Sequence, residues 1–229
     1  MEVINNERKP KANISGSYAY GWQQMLKHFL YLFIIFIVVG LFEAPLSAIQ
    51  DSEWENTPLV VLIQLLAAAY GLLFLPVVSY GGDLLFLRAM RNEKVDISEL
   101  FNGFRNKYLN IILANLLTFA IIGFGFLLLI VPGIILACRL AFVPFLVMDK
   151  NLDPVAAVEK SWAMTRGYGW KIFGMGILMI PIFIAGLLCF IVGVFFAIIW
   201  IKAAFASMYH AVDLEEKKQL YAPEEGEVF

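Results

Sequence analysis

Between Lys171 and Lys202 the chain runs for 30 residues, Ile172 to Ile201, without one charged side chain. A run of about 18 or more apolar residues marks a helix that crosses lipid, where a segment must satisfy its own backbone donors and acceptors. One crossing uses about 20 residues. Thirty are too many for one modestly tilted helix. With Trp170-Lys171 and residues 202–212 they hold two, joined by a turn near Gly186 to Gly193. Four more apolar stretches precede them, so the expected spans are about 26–46, 58–80, 108–130, 134–148, 171–190 and 193–212. The second begins at Pro58, a good first-turn residue, and its helical pattern continues past Pro76 toward Met90. A tight turn at Val131-Pro132-Gly133 separates the third and fourth. The rival, one long tilted helix over the charge-free run, gives an odd number of crossings and places the acidic end outside.

The cations orient this scheme. The stretch Ser47 to Pro58 has Asp51, Glu53 and Glu55 and no Lys or Arg. Arg8, Lys9, Lys11 and Lys27 precede it, and Arg88, Arg91, Lys94, Arg105 and Lys107 follow the second span. Lys150, Lys160, Arg166 and Lys171 lie between the fourth and fifth spans, and Lys217 and Lys218 follow the sixth. Six crossings therefore put 15 of the 17 cations on one side, the exceptions being Arg139 and Lys202 within spans. Positive loops stay in the cytoplasm, so both termini are expected there.

At 61% hydrophobic and 16% charged, the chain is more apolar than a soluble domain, where about 45–50% and about 25% are usual. Its basic residues are spread over short loops rather than forming a stripe, which excludes nucleic acid as a partner. Cys138 and Cys189 sit inside apolar runs and read as packing residues. The polar start of the chain lacks the layout of a cleavable signal peptide, so the first span is expected to be retained.

The expected organisation is an all-α polytopic membrane protein: a cytoplasmic tail over 1–14, a six-helix domain over 15–212, and an acidic, disordered tail over 213–229. Within the domain one unit recurs three times: a short cytoplasmic helix, a glycine beside an aromatic, then a transmembrane hairpin. The first copy has Tyr18, Trp22, Met25 and Phe29 as its stripe, with Gly21-Trp22 in the middle. In the second, Asp96 caps a helix with Glu99 reaching back, and Ile97, Leu100, Phe101 and Phe104 line one face. In the third, Asp153-Pro154 starts a helix striped by Val155, Val158 and Trp162. Leu127 to Gly133 aligns with Leu187 to Gly193, and Tyr108 with Tyr168, at an offset of 60. Such helices are expected to lie in the headgroup layer with the apolar stripe down. Trp22, Phe104, Tyr108, Trp162, Tyr168 and Trp170 would be interfacial anchors, and Trp54 the outer aromatic. The same surfaces would also suit a cytoplasmic protein partner.

Ionisable groups inside a membrane are costly and are functional candidates. Glu43 and Arg139 each lie six residues from an outer turn, roughly 9 Å deep at 1.5 Å per residue, and are expected to pair. Gln64 lies at a similar depth and Lys202 nearer the midplane. Glu43, Gln64, Arg139 and Lys202 thus form a candidate intramembrane polar cluster, either a clamp between helices or the lining of an anion-binding cavity. Asp83 lies near the cytoplasmic end, beside Arg88. Pro76, Pro144 and Pro181 each remove a backbone donor within or near a span. Ala203, Ser207 and Ala211 recur every four residues, the spacing of close helix approach.

The sets that carry common chemistries are missing: no HExxH, CxxC, Walker-type loop or GxSxG. Tyr80-Gly81-Gly82-Asp83 has some likeness to an aspartyl intramembrane protease motif, but no second membrane aspartate shares a proton with Asp83. His28 and His210 bring no metal set. No cofactor, metal or catalytic residue is expected.

One stretch carries a specific resemblance. LLIVPGIILACRLAFVPFLVMD (Leu128 to Asp149), followed by LDPVAAVEKSWAMTRGYGWKIFG (Leu152 to Gly174), has a proline-glycine turn, a span with an arginine, an acidic boundary and an A-x-x-x-S-W-x-x-T-x-G-x-x-W-K-x-F-G helix. It resembles the membrane domain found with some prokaryotic glycerophosphodiester phosphodiesterases and the related YciC-like inner-membrane proteins. The resemblance implies six or nearly six membrane helices, and it brings no phosphodiesterase domain. The resulting expectation is a non-enzymatic inner-membrane protein that binds lipids or a membrane or cytoplasmic partner, in envelope homeostasis or membrane-protein assembly. It is compatible with a homo-oligomer. A small transporter or channel for an anionic solute or lipid is the alternative.

Overall fold

A computed structural model describes residues 9–50 and 58–221, and every regular element among them is helical. In chain order these are α1 (Ile14–Lys27), α2 (Phe29–Gln50), α3 (Pro58–Leu73), α4 (Leu75–Met90), a 3-10 turn (Ile97–Phe101), α5 (Asn102–Asn106), α6 (Tyr108–Leu128), α7 (Ile130–Arg139), α8 (Val143–Asp149), α9 (Pro154–Met164), α10 (Gly169–Leu188) and α11 (Phe190–Tyr221). Five stretches are long and apolar enough to cross a membrane, or six if the pair α1–α2, bent by 95°, counts as one. The acidic stretch with Asp51, Glu53, Trp54 and Glu55 lies outside the described residues, as do Arg8 and residues 222–229.

Local chemistry sets the boundaries. The Asn13 side chain accepts the Gly16 N–H at 2.6 Å and starts α1. Pro76 cannot donate to the preceding turn, and α3 and α4 part at Phe74. Asn92 and Asn151 adopt φ 56 after α4 and α8, a left-handed conformation that asparagine tolerates. Asp96 caps the 3-10 turn by accepting the Ser98 N–H at 2.9 Å. Glu99 does not reach back to complete the box; it pairs with Arg88.

The tight turn after α6 is at Leu129, two residues earlier than expected. Pro132 is in the first turn of α7, where backbone donors have no intrahelical partner anyway, so it starts the helix rather than breaking it. A Cβ on Gly125 would lie 3.0 Å from the Gly133 Cα, so these two glycines set the closeness of α6 and α7. The turn between α10 and α11 is at Cys189, within the expected stretch, and Gly186 and Gly193 meet there backbone to backbone. Leu129 and Cys189 are 60 residues apart, the offset of the proposed repeat.

The core gathers at one end of the molecule. Met25 of α1, Leu85 and Met90 of α4, Leu100, Phe142, Leu146 of α8 and Tyr209 of α11 are fully enclosed there. Half of the most apolar stretch of α11 is buried within the protein, against 17% for α10, which makes α11 the central element. At the other end Leu62, Leu65, Phe119, Leu127 and Leu188 stand exposed. So much contiguous exposed apolar surface is not sustained in water. The protein is membrane-embedded.

Two expectations change. The short helices do not present their apolar stripes to lipid as whole faces. α1 turns Ser17, Tyr18, Gly21, Gln24 and Met25 inward and leaves Trp22 40% exposed; α9 turns in Ala157, Ser161 and Met164 and exposes Val155 and Trp162. In lipid, small and polar residues favour the protein side because hydrocarbon solvates the large apolar ones equally well. Gly21 packs on the backbone of Ala203 and Ala204, while Ala203, Ser207 and Ala211 are buried, as their spacing predicts. The acidic tail is also shorter than expected. α11 continues to Tyr221, because Asp213 and the residues after it are held by cations from other helices.

Candidate functional site

The enclosed end carries an ionic junction centred on Asp213, whose side chain is 1% exposed. Lys150 approaches it at 2.7 Å, Lys217 at 3.0 Å and Arg91 at 3.3 Å. Arg91 also forks onto Asp149, with Nη1–Oδ1 2.6 Å and Nη2–Oδ2 2.8 Å. Burial works against the Arg91 charge, but Asp149 and Asp213 hold its guanidinium above the ordinary range. The Tyr209 hydroxyl donates to Asp149 at 3.1 Å, and Lys160 pairs with Glu216. Tyr168 donates to Glu215; that bond, with burial, pushes its phenol up to about 12. Arg91 and Lys150 each cap the C-terminus of a helix and each precede a left-handed asparagine. The cations that end α4 and α8 thus converge on one carboxylate of the last helix.

A second polar element repairs a broken helix. Pro144 has no N–H, and the Val143 N–H turns to the Leu140 carbonyl, so α7 ends at Arg139 with its carbonyl free. The Ser161 hydroxyl donates to that carbonyl at 2.7 Å and accepts the Phe142 N–H at 3.3 Å. Thr165 adds a bond to the Arg139 carbonyl at 3.2 Å. The Ser-Trp-x-x-Thr part of the sequence pattern is thus a splint across the α7–α8 break. In lipid no water replaces it. Ser161→Val should lower the melting temperature of the purified protein, with a loss of about 1–3 kcal/mol for the stranded carbonyl. Ser161→Thr should retain most of the stability, and equal melting of all three forms would refute the splint.

The four residues read as one intramembrane cluster are dispersed. Gln64 is exposed on α3, and Glu43 is exposed on α2. Lys202 pairs with Asp83 at 2.9 Å, its ammonium 5.9 Å from the Phe86 ring, with Glu43 adding a favourable field. Asp83 thus reaches Lys202 rather than Arg88. Arg139 makes no ion pair with Glu43. Its guanidinium carbon lies 5.5 Å from the centre of the Trp162 ring, and its Nη1 is enclosed with no hydrogen-bond partner. An equal distance from the outer turns was expected to bring Glu43 and Arg139 together, but α7 starts at Ile130, which puts Arg139 ten residues past its turn and against Trp162 of α9.

Of the expected anchors, Trp170 is the most open at 84%, beside Phe173. Trp22 meets Trp200 edge-on at 4.8 Å, and Phe104 is half-buried between Phe74 and Tyr108. Lys107, next to Tyr108, donates to the Met148 carbonyl at 2.6 Å, and burial draws its ammonium below the usual lysine range. Among the described residues no group of histidine, cysteine and carboxylate side chains has metal-binding geometry.

Together these features define a polytopic helical membrane protein with a polar, locked end and an open apolar end. Comparisons with family models, with curated proteins and with solved structures give no match to the chain.

Proposed function

We propose that this chain is a non-catalytic, multi-pass protein of a prokaryotic inner membrane that binds lipid or a protein partner, in envelope homeostasis or membrane-protein assembly. Its six spans form three hairpins with both termini in the cytoplasm. The observation that carries the reading is the segregation of the molecule. One end is an enclosed core stapled by Arg91, Asp149, Lys150 and Asp213, while the other consists of apolar helices with wide exposed faces. The positive loops belong to the locked end, which makes it cytoplasmic. The resemblance of Leu128 to Gly174 to prokaryotic inner-membrane families supports the same reading.

The test is twofold. In a variant lacking Cys138 and Cys189, a cysteine introduced at Glu159 should react with a membrane-impermeant maleimide only after the membrane is opened. Labelling from outside the intact cell would overturn the topology. The alternative reading, a transporter or channel for an anionic solute or lipid, rests on the charges Arg139 and Lys202 within spans. Vesicles reconstituted with the protein should show no anion flux above empty vesicles. Flux that disappears in Arg139→Ala would favour transport instead.

A further inference from the structure

Arg139 has the chemistry of a binding residue whose counter-ion comes from outside the chain. It has five N–H donors. Its Nη1 is enclosed without a partner, and no described carboxylate lies within ion-pair distance. Lys202, the other cation placed within a span, is by contrast matched by Asp83. An unmatched arginine in hydrocarbon is costly. The side chain is also oriented in advance. Ser161 and Thr165 fix the end of α7, and Trp162, itself 40% exposed, supports the guanidinium from one face.

Next to Arg139 in the chain, Cys138 lines an apolar groove of about 360 Å³ between α7 and α10, with Phe126, Ile134, Ala141, Phe173 and Gly176; Arg139 itself is not in the lining. Cys138 and Ala141 lie one and two residues from Arg139 on the same stretch, and Gly176 leaves the groove open because nothing fills the place of its missing side chain. The groove is too apolar for a free anion. Charged surface is close by: Thr165 bonds the Arg139 carbonyl, and the next residue, Arg166, is exposed.

We propose that Arg139 holds the phosphate of an anionic phospholipid whose acyl chain lies in the groove between α7 and α10. The guanidinium fork matches two phosphate oxygens, and its charge selects anionic over zwitterionic headgroups. The proposal rests on the lipid-binding reading above and assigns that reading a site.

Native mass spectrometry of delipidated protein, titrated with phosphatidylglycerol or with phosphatidylcholine of the same chains, tests it. Wild type should hold one phosphatidylglycerol about tenfold more tightly than phosphatidylcholine, as expected for one charge-assisted contact. Arg139→Gln should remove that preference. Gly176→Leu, which fills the groove and leaves Arg139 in place, should weaken phosphatidylglycerol by a similar factor, and carries the test should Arg139→Gln fail to fold. A wild-type preference that survives both substitutions would overturn the site while leaving lipid binding intact. Wild type that retains neither lipid would overturn the proposal and would count against lipid as the ligand in the broader reading.

Discussion

Asp213→Ala is expected to cost about 3 kcal/mol of folding stability, the lower end of the range for removing one partner from a buried ion pair. The carboxylate is enclosed and receives Arg91, Lys150 and Lys217, so its loss leaves three cations crowded around an empty place. Arg91 keeps Asp149, but Lys150 keeps only a 3.6 Å approach to Glu216. Lys150 and Lys217 are 25% and 54% exposed and can turn to water, which places the loss at the low end. Glu216→Ala offers the contrast. Its partners Lys160 and Lys150 are 34% and 25% exposed, and a partly exposed pair is worth less than about 1 kcal/mol. Thermal unfolding of both variants in one detergent should separate them clearly. Equal losses would mean that the junction is solvated and does not lock the helices. Replacing Lys150 by Met in the Asp213→Ala background should recover part of the loss, because the stranded ammonium is then gone.

The all-helical, polytopic character and the approximate turn positions were legible because they depend on apolar length, a one-dimensional property. The charge-free run from Ile172 to Ile201 has its turn at Cys189, between the two glycines that marked it. Depth within a span and direction around a helix were not legible: Lys202, expected nearer the midplane, meets Asp83, expected near the cytoplasmic end. Arg139 lies ten residues past the turn at Leu129 rather than six past Gly133, and its guanidinium faces the Trp162 ring. Asp213 was read as the start of a solvated acidic tail from charge density alone. The contrary signal was present: no Gly or Pro occurs between Gly193 and Pro223, so nothing stops α11, and Asp213 stands four residues before Lys217. The splint residues Ser161 and Thr165 were visible only as part of a pattern. The physical cue was Pro144, which obliges some distant hydroxyl to take up the carbonyl that the break sets free.

Gly81→Val should be the most damaging single substitution on α4, with a cost of roughly 3 kcal/mol or more, at or beyond the usual range for overpacking. A Cβ at this position would lie 2.2 Å from the Leu100 carbonyl oxygen and 3.0 Å from its carbon. The obstacle is backbone, so no rotamer change relieves it. The 3-10 turn Ile97–Phe101 would have to lift from α4, withdrawing the fully buried Leu100 and separating Glu99 from Arg88. This contact also gives Gly81 of the Tyr80-Gly81-Gly82-Asp83 stretch a packing role, and Asp83 pairs with Lys202. Two nearby glycines control for helix propensity. A Cβ on Gly82 comes closest to a Val39 methyl at 3.2 Å and otherwise makes ordinary contact with Leu100 and Ile35 methyls, all side-chain ends that can shift, so Gly82→Ala should cost little. A Cβ on Gly40 of α2 meets nothing, so Gly40→Ala should stabilise by about 0.4–1 kcal/mol through the unfolded chain. Melting temperatures should therefore rank Gly40→Ala above wild type, Gly82→Ala near it and Gly81→Val far below. If Gly81→Val melted with Gly82→Ala, the turn would not rest on α4, and the packed end would lose the contact that seats Leu100.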